Sequence, residues 1–180
     1  MKPKRKKKVA AIYCNGGVRA KEKIDRQTMD CDCVSALERY PDGILECASG
    51  CLGLGSCIAV CRLKAIGLDE HGVAQVNTEK CVGCGLCAKT CPKKLIRMIL
   101  PQMNIVPRCS NNDNAKDAKS VCERSCIACR ICEKNCPTAA ISVIDNCAVI
   151  NEDLCISCGM CAIKCPRGVI IDADGILTVR

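Results

Sequence analysis

The 180-residue sequence contains no Trp and no Phe, only two Tyr, and a single His. Its stated hydrophobic fraction of 49% includes 22 cysteines, so ordinary carbon side chains supply a thin core with almost no aromatic volume. A chain of this length needs another source of cohesion. Tyr13 and Tyr40 are isolated and offer no stacking platform for bases, which argues against nucleic-acid binding by the folded part.

Long apolar runs are also missing. The longest uncharged run, over 47–61, is rich in Gly and Cys and too short to span a bilayer. The basic start, over 1–8, is not followed by a signal-peptide core. We expect it to be a disordered tail, with contact to anionic lipid, an acidic partner or nucleic acid as the alternatives. Cysteine at this density in a reducing compartment indicates metal binding.

One cysteine pattern, Cys-x2-Cys-x2-Cys-x3-Cys-Pro, occurs three times. The copies are Cys81, Cys84, Cys87 and Cys91; Cys126, Cys129, Cys132 and Cys136; and Cys155, Cys158, Cys161 and Cys165. A looser fourth copy comprises Cys47, Cys51, Cys57 and Cys61, and it aligns at an offset of 75 residues with Cys122, Cys126, Cys132 and Cys136. In that alignment Leu54 stands at the position of Cys129, and we expect Cys47 to be the replacement ligand.

This spacing is typical of [4Fe–4S] clusters in two-cluster ferredoxins, in which the fourth cysteine of each motif ligates the other cluster. We therefore predict four [4Fe–4S] clusters with crossed ligands. Cluster one takes Cys47, Cys51, Cys57 and Cys91; cluster two takes Cys61, Cys81, Cys84 and Cys87; cluster three takes Cys126, Cys129, Cys132 and Cys165; cluster four takes Cys136, Cys155, Cys158 and Cys161.

Three alternatives remain open from the residues alone. Zinc sites use Cys or His pairs separated by a dozen or more residues, which this pattern does not resemble. A disulfide framework requires cysteines on one loop to pair at unsuitable spacing. If Cys47 serves elsewhere, cluster one has three cysteine ligands and is a three-iron species.

We expect the lone His71 to be an exposed turn residue, with cluster ligation as the lesser alternative.

The repeat also predicts the fold class, which is α+β. We expect a tandem of two bacterial-type 2[4Fe–4S] ferredoxin-like modules of βαββαβ order, each preceded by a short strand that ends in a cysteine. The expected divisions are a tail over 1–8, a cysteine-containing segment over 9–43, module one over 44–100, a connection over 101–118, module two over 119–174 and a tail over 175–180.

The string Gly50-Cys-Leu-Gly-Leu-Gly-Ser-Cys57, the Asp32-Cys33 pair, the opening Val9-Ala-Ala-Ile-Tyr-Cys-Asn-Gly16 and the tandem motifs resemble the B subunit of the Rnf ion-translocating electron-transport complex in its long, cysteine-rich form. The resemblance covers about residues 9–172. Two departures stand out. The N-terminal membrane anchor and first cluster domain of the family are expected to be absent from this chain, and Arg62 replaces the Pro that normally follows the fourth cysteine.

The resemblance implies a function. We expect an iron–sulfur subunit that relays single electrons from reduced ferredoxin toward a membrane NAD-linked complex, cytoplasmic or peripheral at the cytoplasmic face of the cell membrane. No nucleotide or catalytic motif is evident in this chain. The alternatives are a soluble polyferredoxin subunit of another multi-subunit reductase and a zinc-stabilised nucleic-acid-binding protein.

Six cysteines lie outside the assigned ligands. Cys14, Cys33, Cys109 and Cys122 match cysteines of the long family form, and four thiols are the number that one more site needs, so we predict a fifth cluster or metal site there. Buried free thiols or a disulfide are the alternative. We expect Cys147 to be a core residue and Cys31 to be a free thiol.

Overall fold

The computed structural model describes residues 7–172. The predicted tail over 1–8, apart from Lys7 and Lys8, lies outside the described residues, as do the tail over 175–180 and the last two residues of the predicted second module. None of the helices in the described part of the chain combines the length and apolar character that crossing a membrane requires.

Short strands and short helices alternate in two similar halves. The first half contains β1 (Val9–Ile12), α1 (Cys33–Arg39), α2 (Ser56–Ala59), β2 (Ile66–Leu68), β3 (Ala74–Val76), α3 (Leu86–Thr90) and β4 (Ile96–Ile99). The second contains β5 (Ile105–Pro107), α4 (Ala115–Val121), α5 (Ile131–Lys134), β6 (Ile141–Ile144), β7 (Cys147–Ile150), α6 (Met160–Ile163) and β8 (Ile170–Asp172). The predicted α+β class with two ferredoxin-like modules is confirmed.

Each half contains two antiparallel strand pairs. The hairpins β2–β3 and β6–β7 lie within the modules, as expected. The remaining pairs join the strand that precedes each module to its last strand: Val9 lies opposite Ile99, and Ile105 lies opposite Asp172. The first strand of each βαββαβ unit is therefore the strand that the sequence places before the module, so the structural modules begin at β1 and β5.

The helices that follow the cysteine loops begin at a residue in the left-handed conformation. Gly55, Gly85 and Gly159 occupy this position with φ between 74° and 83°, and Arg130 occupies it at 57°. A left-handed residue reverses the chain in one step, so the helix starts directly after the cysteine loop. Gly is the least strained choice there.

Each module has its own apolar core, and the cysteines form part of it. Val9, Val73 and Leu95 are buried in the first, and Ile141 and Ile170 in the second. A third, smaller cluster contains Ile44, Leu45 and Leu52, with α1 packed against it. Carbon side chains surround the cysteine loops and do not form a separate layer.

Candidate metal centres

Four cavities in the structure are each lined by four cysteines. The cavity of cluster two is the largest of the four, at about 280 Å³, and contains Cys61, Cys81, Cys84 and Cys87 among its lining residues. The cavities of clusters three and four contain Cys126, Cys129, Cys132 and Cys165, and Cys136, Cys155, Cys158 and Cys161, respectively. In these three cavities the fourth cysteine comes from the other motif of the module, as the crossed arrangement requires.

The cavity of cluster one differs from the expectation in one residue. It is lined by Cys33, Cys51, Cys57 and Cys91, and Cys47 is not part of it. The side chain of Asp32 caps α1, so Cys33 lies in the first turn of that helix, and its backbone N–H donates to the Ser56 hydroxyl at 2.9 Å. The first turn of α1 thereby supplies the fourth cysteine where Leu54 interrupts the motif.

Backbone N–H groups stabilise the sulfur atoms at these cavities. The N–H groups of Ala65 and Leu95 donate to Sγ of Cys61 and Cys91 at 3.3 and 3.4 Å. The second module repeats the pattern with donors to Cys136 and Cys165 at 3.2 and 3.4 Å. Hydrogen bonds of this kind stabilise a thiolate and are among the factors that set the reduction potential of an iron–sulfur cluster.

Burial opposes ionisation of the same thiols. It raises the pKa of Cys57 to about 12 and that of Cys132 to about 12, and the neighbouring thiolates add to the effect. Adjacent thiolates of which several are buried or half-buried are stable only when a cation compensates their charge. The cysteine sets fit the demand of a cubane cluster, in which each of four irons binds one thiolate.

A site for a single metal ion, such as zinc, requires several ligand side chains around one point. Within residues 7–172, no three His, Cys, Asp or Glu side chains are arranged so that they could hold one metal ion. His71 lies in the β2–β3 turn with its Nε2 at 3.4 Å from the Glu70 carboxylate, and it lines none of the four cysteine cavities.

The cysteines outside these cavities do not behave alike. Cys14, Cys109 and Cys122 are buried together with Cys47 between the modules, whereas Cys31 is half-buried and belongs to no group. Cys147 is buried as expected, but its thiol also donates to the Cys109 carbonyl oxygen at 3.0 Å. Spacing alone does not indicate this contact.

Close backbone packing explains one glycine of the cluster two loop. Gly83 has a φ of 71°, and a Cβ there would lie 2.1 Å from the Lys8 carbonyl oxygen, whereas a Cβ on Gly85, with a φ of 76°, would meet nothing within 4 Å. Substitution by alanine at either position costs about 1 kcal/mol for the left-handed backbone, and Gly83→Ala costs about 1–3 kcal/mol more through overpacking.

We therefore expect Gly83→Ala to lose its visible iron–sulfur absorbance at a clearly lower urea concentration than wild type, and Gly85→Ala to shift little. Equal midpoints for the two variants would contradict the packing argument.

Comparisons with known proteins identify 4Fe–4S domains in this chain. A family described as "4Fe-4S dicluster domain" matches residues 47–98, and two described as "4Fe-4S binding domain" match residues 123–139 and 148–171. The B subunit of the Na(+)-translocating ferredoxin:NAD(+) oxidoreductase complex of Acetobacterium woodii is 40% identical over 147 residues, which is 82% of this chain and 44% of that protein. The B subunit of the ion-translocating oxidoreductase complex of Methanosarcina acetivorans is 39% identical over 107 residues, 59% of this chain and 40% of that protein.

A more distant relative is part of another kind of enzyme. The B subunit of polysulfide reductase from Wolinella succinogenes is 29% identical over 103 residues, which is 54% of this chain and 53% of that protein. The chain spans less than half the length of the two relatives from ion-translocating complexes. The resemblance drawn from the sequence is confirmed, and so is the presence of 4Fe–4S domains.

Proposed function

Because this chain carries 4Fe–4S ferredoxin domains and is a homologue of the B subunits of ion-translocating oxidoreductase complexes, we propose that it relays single electrons from reduced ferredoxin toward a membrane NAD-linked complex. The observation that carries the proposal is the set of four cavities, each lined by four cysteines. Contact with the membrane is peripheral, at its cytoplasmic face, and the protein acts as one component of a larger oxidoreductase.

The residues of the chain have three tasks in this function. The sixteen cysteines of the cavities would hold the iron as thiolates, and backbone N–H groups such as that of Ala140, at 3.2 Å from Cys136 Sγ, stabilise the charge. Buried side chains such as Leu95 and Val169 keep water away from the sulfur atoms. A [4Fe–4S] cluster held by these cysteines would supply the transfer of single electrons without a change of ligands.

Three of the sites include an exposed cysteine, namely Cys84, Cys129 and Cys158, and at two of them a strongly exposed apolar side chain lies beside it and suits docking of a redox partner. Cys84 of cluster two is exposed beside Val82, which is 61% exposed. Cys158 of cluster four is exposed beside Ile156, which is 64% exposed. Exposed apolar patches of this kind commonly mark interaction sites. We propose that electrons enter at one of these ends and leave at the other.

Stopped-flow mixing tests the donor. Chemically reduced ferredoxin from the same organism is mixed anaerobically with the oxidised protein, and we expect the protein's visible absorbance to bleach at a rate that rises with ferredoxin concentration. Reduction by dithionite without any reduction by ferredoxin would overturn ferredoxin as the donor while leaving the electron-carrying role intact.

Charged substitutions beside Cys84 and Cys158 test where ferredoxin docks. A charge placed in an apolar contact costs roughly 1–2 kcal/mol, or about tenfold in the bimolecular rate. We expect one of the two variants, Val82→Glu or Ile156→Glu, to be reduced by ferredoxin about tenfold more slowly than wild type, with its iron content unchanged. Ile144→Glu, at an exposed position of β6 that lines none of the described cavities, is the matched control. No loss in either variant would contradict docking at these ends.

A second candidate rests on the similarity to the polysulfide reductase subunit. In this alternative the protein carries electrons within a different multi-subunit reductase. Isolation of the native complex separates the two candidates, because only the first expects membrane flavoprotein subunits to co-purify.

A further inference from the structure

Four buried cysteines outside the cluster cavities meet between the two modules. They are Cys14, Cys47, Cys109 and Cys122, each between 7% and 8% exposed, and we refer to them as the seam group. Cys14 follows β1, and Cys109 follows β5, so the first strand of each module delivers one thiol. The matched family domains cover neither of these two residues nor Cys122.

One segment of the backbone brings the other two thiols together. The backbone of Lys21 donates to the Val121 carbonyl oxygen on one side and accepts from the Glu46 N–H on the other, both at 2.9 Å. Bridges Ala20–Cys122 and Glu22–Leu45 continue these contacts. The segment is thus held between the residues that precede Cys47 and those around Cys122, and it fixes both to the same region.

Sγ of Cys14 and Sγ of Cys122 border a common space at Gly16, and the thiols of Cys47 and Cys109 are near enough to interact with them electrostatically. A Cβ built on Gly16 would lie 3.4 Å from Cys122 Sγ and 3.7 Å from Cys14 Sγ, so the missing side chain leaves room beside both. Burial raises the pKa of Cys47 to about 12, and the thiolates of Cys14, Cys109 and Cys122 also raise it. The thiolates of Cys14 and Cys109 likewise raise the pKa of Cys122, which burial raises most.

Backbone N–H groups stabilise the thiolates of the seam group, as they do in the cluster cavities. For each of its four cysteines, the N–H of the residue two positions later stabilises the thiolate, as it does for Cys51 and Cys126. The N–H of Cys51, in the cavity of cluster one, donates to Cys14 Sγ at 3.3 Å. The N–H of Cys126, in the cavity of cluster three, donates to Cys109 Sγ at 3.4 Å.

These contacts follow the internal repeat. Cys47 and Cys122 are equivalent at the offset of 75 residues, and so are Cys51 and Cys126. Cys14 and Cys109 follow equivalent strands. The seam group therefore consists of two equivalent pairs, one from each module, which is the arrangement expected of a site shared between them.

Other groups near the seam suit an anionic centre. The buried side-chain nitrogen of Asn111, two residues after Cys109, has no hydrogen-bond partner among the described residues. The guanidinium of Arg108 donates to the Ala74 carbonyl oxygen at 3.4 Å, and burial lowers its pKa while Asp69, Cys14 and Cys51 raise it. A buried amide donor without an acceptor is costly, so the Asn111 side chain favours an anionic group beside it.

We propose that Cys14, Cys47, Cys109 and Cys122 hold a fifth [4Fe–4S] cluster at the seam between the modules. The proposal differs from the sequence expectation in exchanging Cys33 for Cys47. Through the N–H groups of Cys51 and Cys126 the site adjoins both cluster one and cluster three, and it connects the electron path of one module to that of the other. It goes beyond the four-cluster relay, which stands without it.

Iron analysis of paired variants tests the proposal. With four irons per cubane, anaerobically purified wild type is expected to hold about 20 irons, and the double variant Cys14→Ala/Cys122→Ala about 16, with an equal loss of acid-labile sulfide. Cys31→Ala removes a half-buried cysteine outside every group and is expected to keep about 20 irons. Reduction by dithionite should still bleach the remaining clusters of the double variant, which shows that it is folded and loaded.

Three results would overturn the fifth cluster: about 16 irons in wild type, an unchanged iron content in the double variant, or one zinc per chain that the double variant loses while iron stays at about 16. None of them bears on ferredoxin as the donor, which the mixing experiment tests separately. If the double variant fails to fold, Cys109→Ser combined with Cys122→Ser, which preserves volume, replaces it under the same expectations.

Discussion

Removing iron from the anaerobically purified protein is expected to unfold it. The sequence has no Phe or Trp, and cysteines form part of the apolar core of each module. A folded domain is stable by only about 5–15 kcal/mol, whereas one structural metal centre contributes on the order of 10 kcal/mol to folding. Loss of four or more such centres exceeds any net stability that the carbon side chains supply.

Circular dichroism during chelation under reducing conditions measures this effect. We expect the far-ultraviolet signal to fall in step with the visible absorbance, and both to return when iron and sulfide are supplied together. An apoprotein that keeps its secondary structure and still unfolds cooperatively in urea would show that the apolar core suffices without the clusters.

Paired cysteine variants are expected to lose different amounts of iron, because the structure exchanges the roles of Cys33 and Cys47. Cys33 lines the cavity of cluster one with Cys57, and Cys47 lies in the seam group. Cys33→Ala/Cys57→Ala therefore removes two ligands from one centre, and we expect about four irons to be lost. If the proposed seam cluster is present, Cys47→Ala/Cys57→Ala removes one ligand from each of two centres, and we expect about two irons to be lost and two three-iron species to form.

Iron content and electron paramagnetic resonance of the oxidised variants measure the difference. Three-iron clusters are paramagnetic when oxidised, so the second variant should give about two spins per chain and the first almost none. The reverse outcome, with two spins in the Cys33 pair, would restore Cys47 to cluster one.

Sequence spacing is sufficient where the four cysteines of a cluster come from regular motifs. The crossed sets of clusters two, three and four depend on local loops and on one fixed exchange between motifs, and the structure brings the same cysteines together. Local spacing carries this information because a cysteine loop with left-handed residues, such as that ending at Gly85, has few alternative conformations.

Spacing is insufficient where a ligand comes from a distant segment. Leu54 shows that cluster one lacks a motif cysteine, but both Cys33 and Cys47 are available to replace it. The choice depends on the capping of α1 by Asp32 and on the hydrogen bond from the Cys33 N–H to Ser56. These tertiary contacts have no periodic signal, and neither has the pairing of β1 with β4 across the whole first module.

Quantification of iron, acid-labile sulfide and zinc in anaerobically purified protein tests the central claim most directly. Four cysteine-lined cavities filled by cubane clusters predict at least about 16 irons per chain, and about 20 with the seam site, each accompanied by an equal number of sulfides. Zinc bound without labile sulfide would contradict the claim that this chain is an electron-carrying iron–sulfur protein.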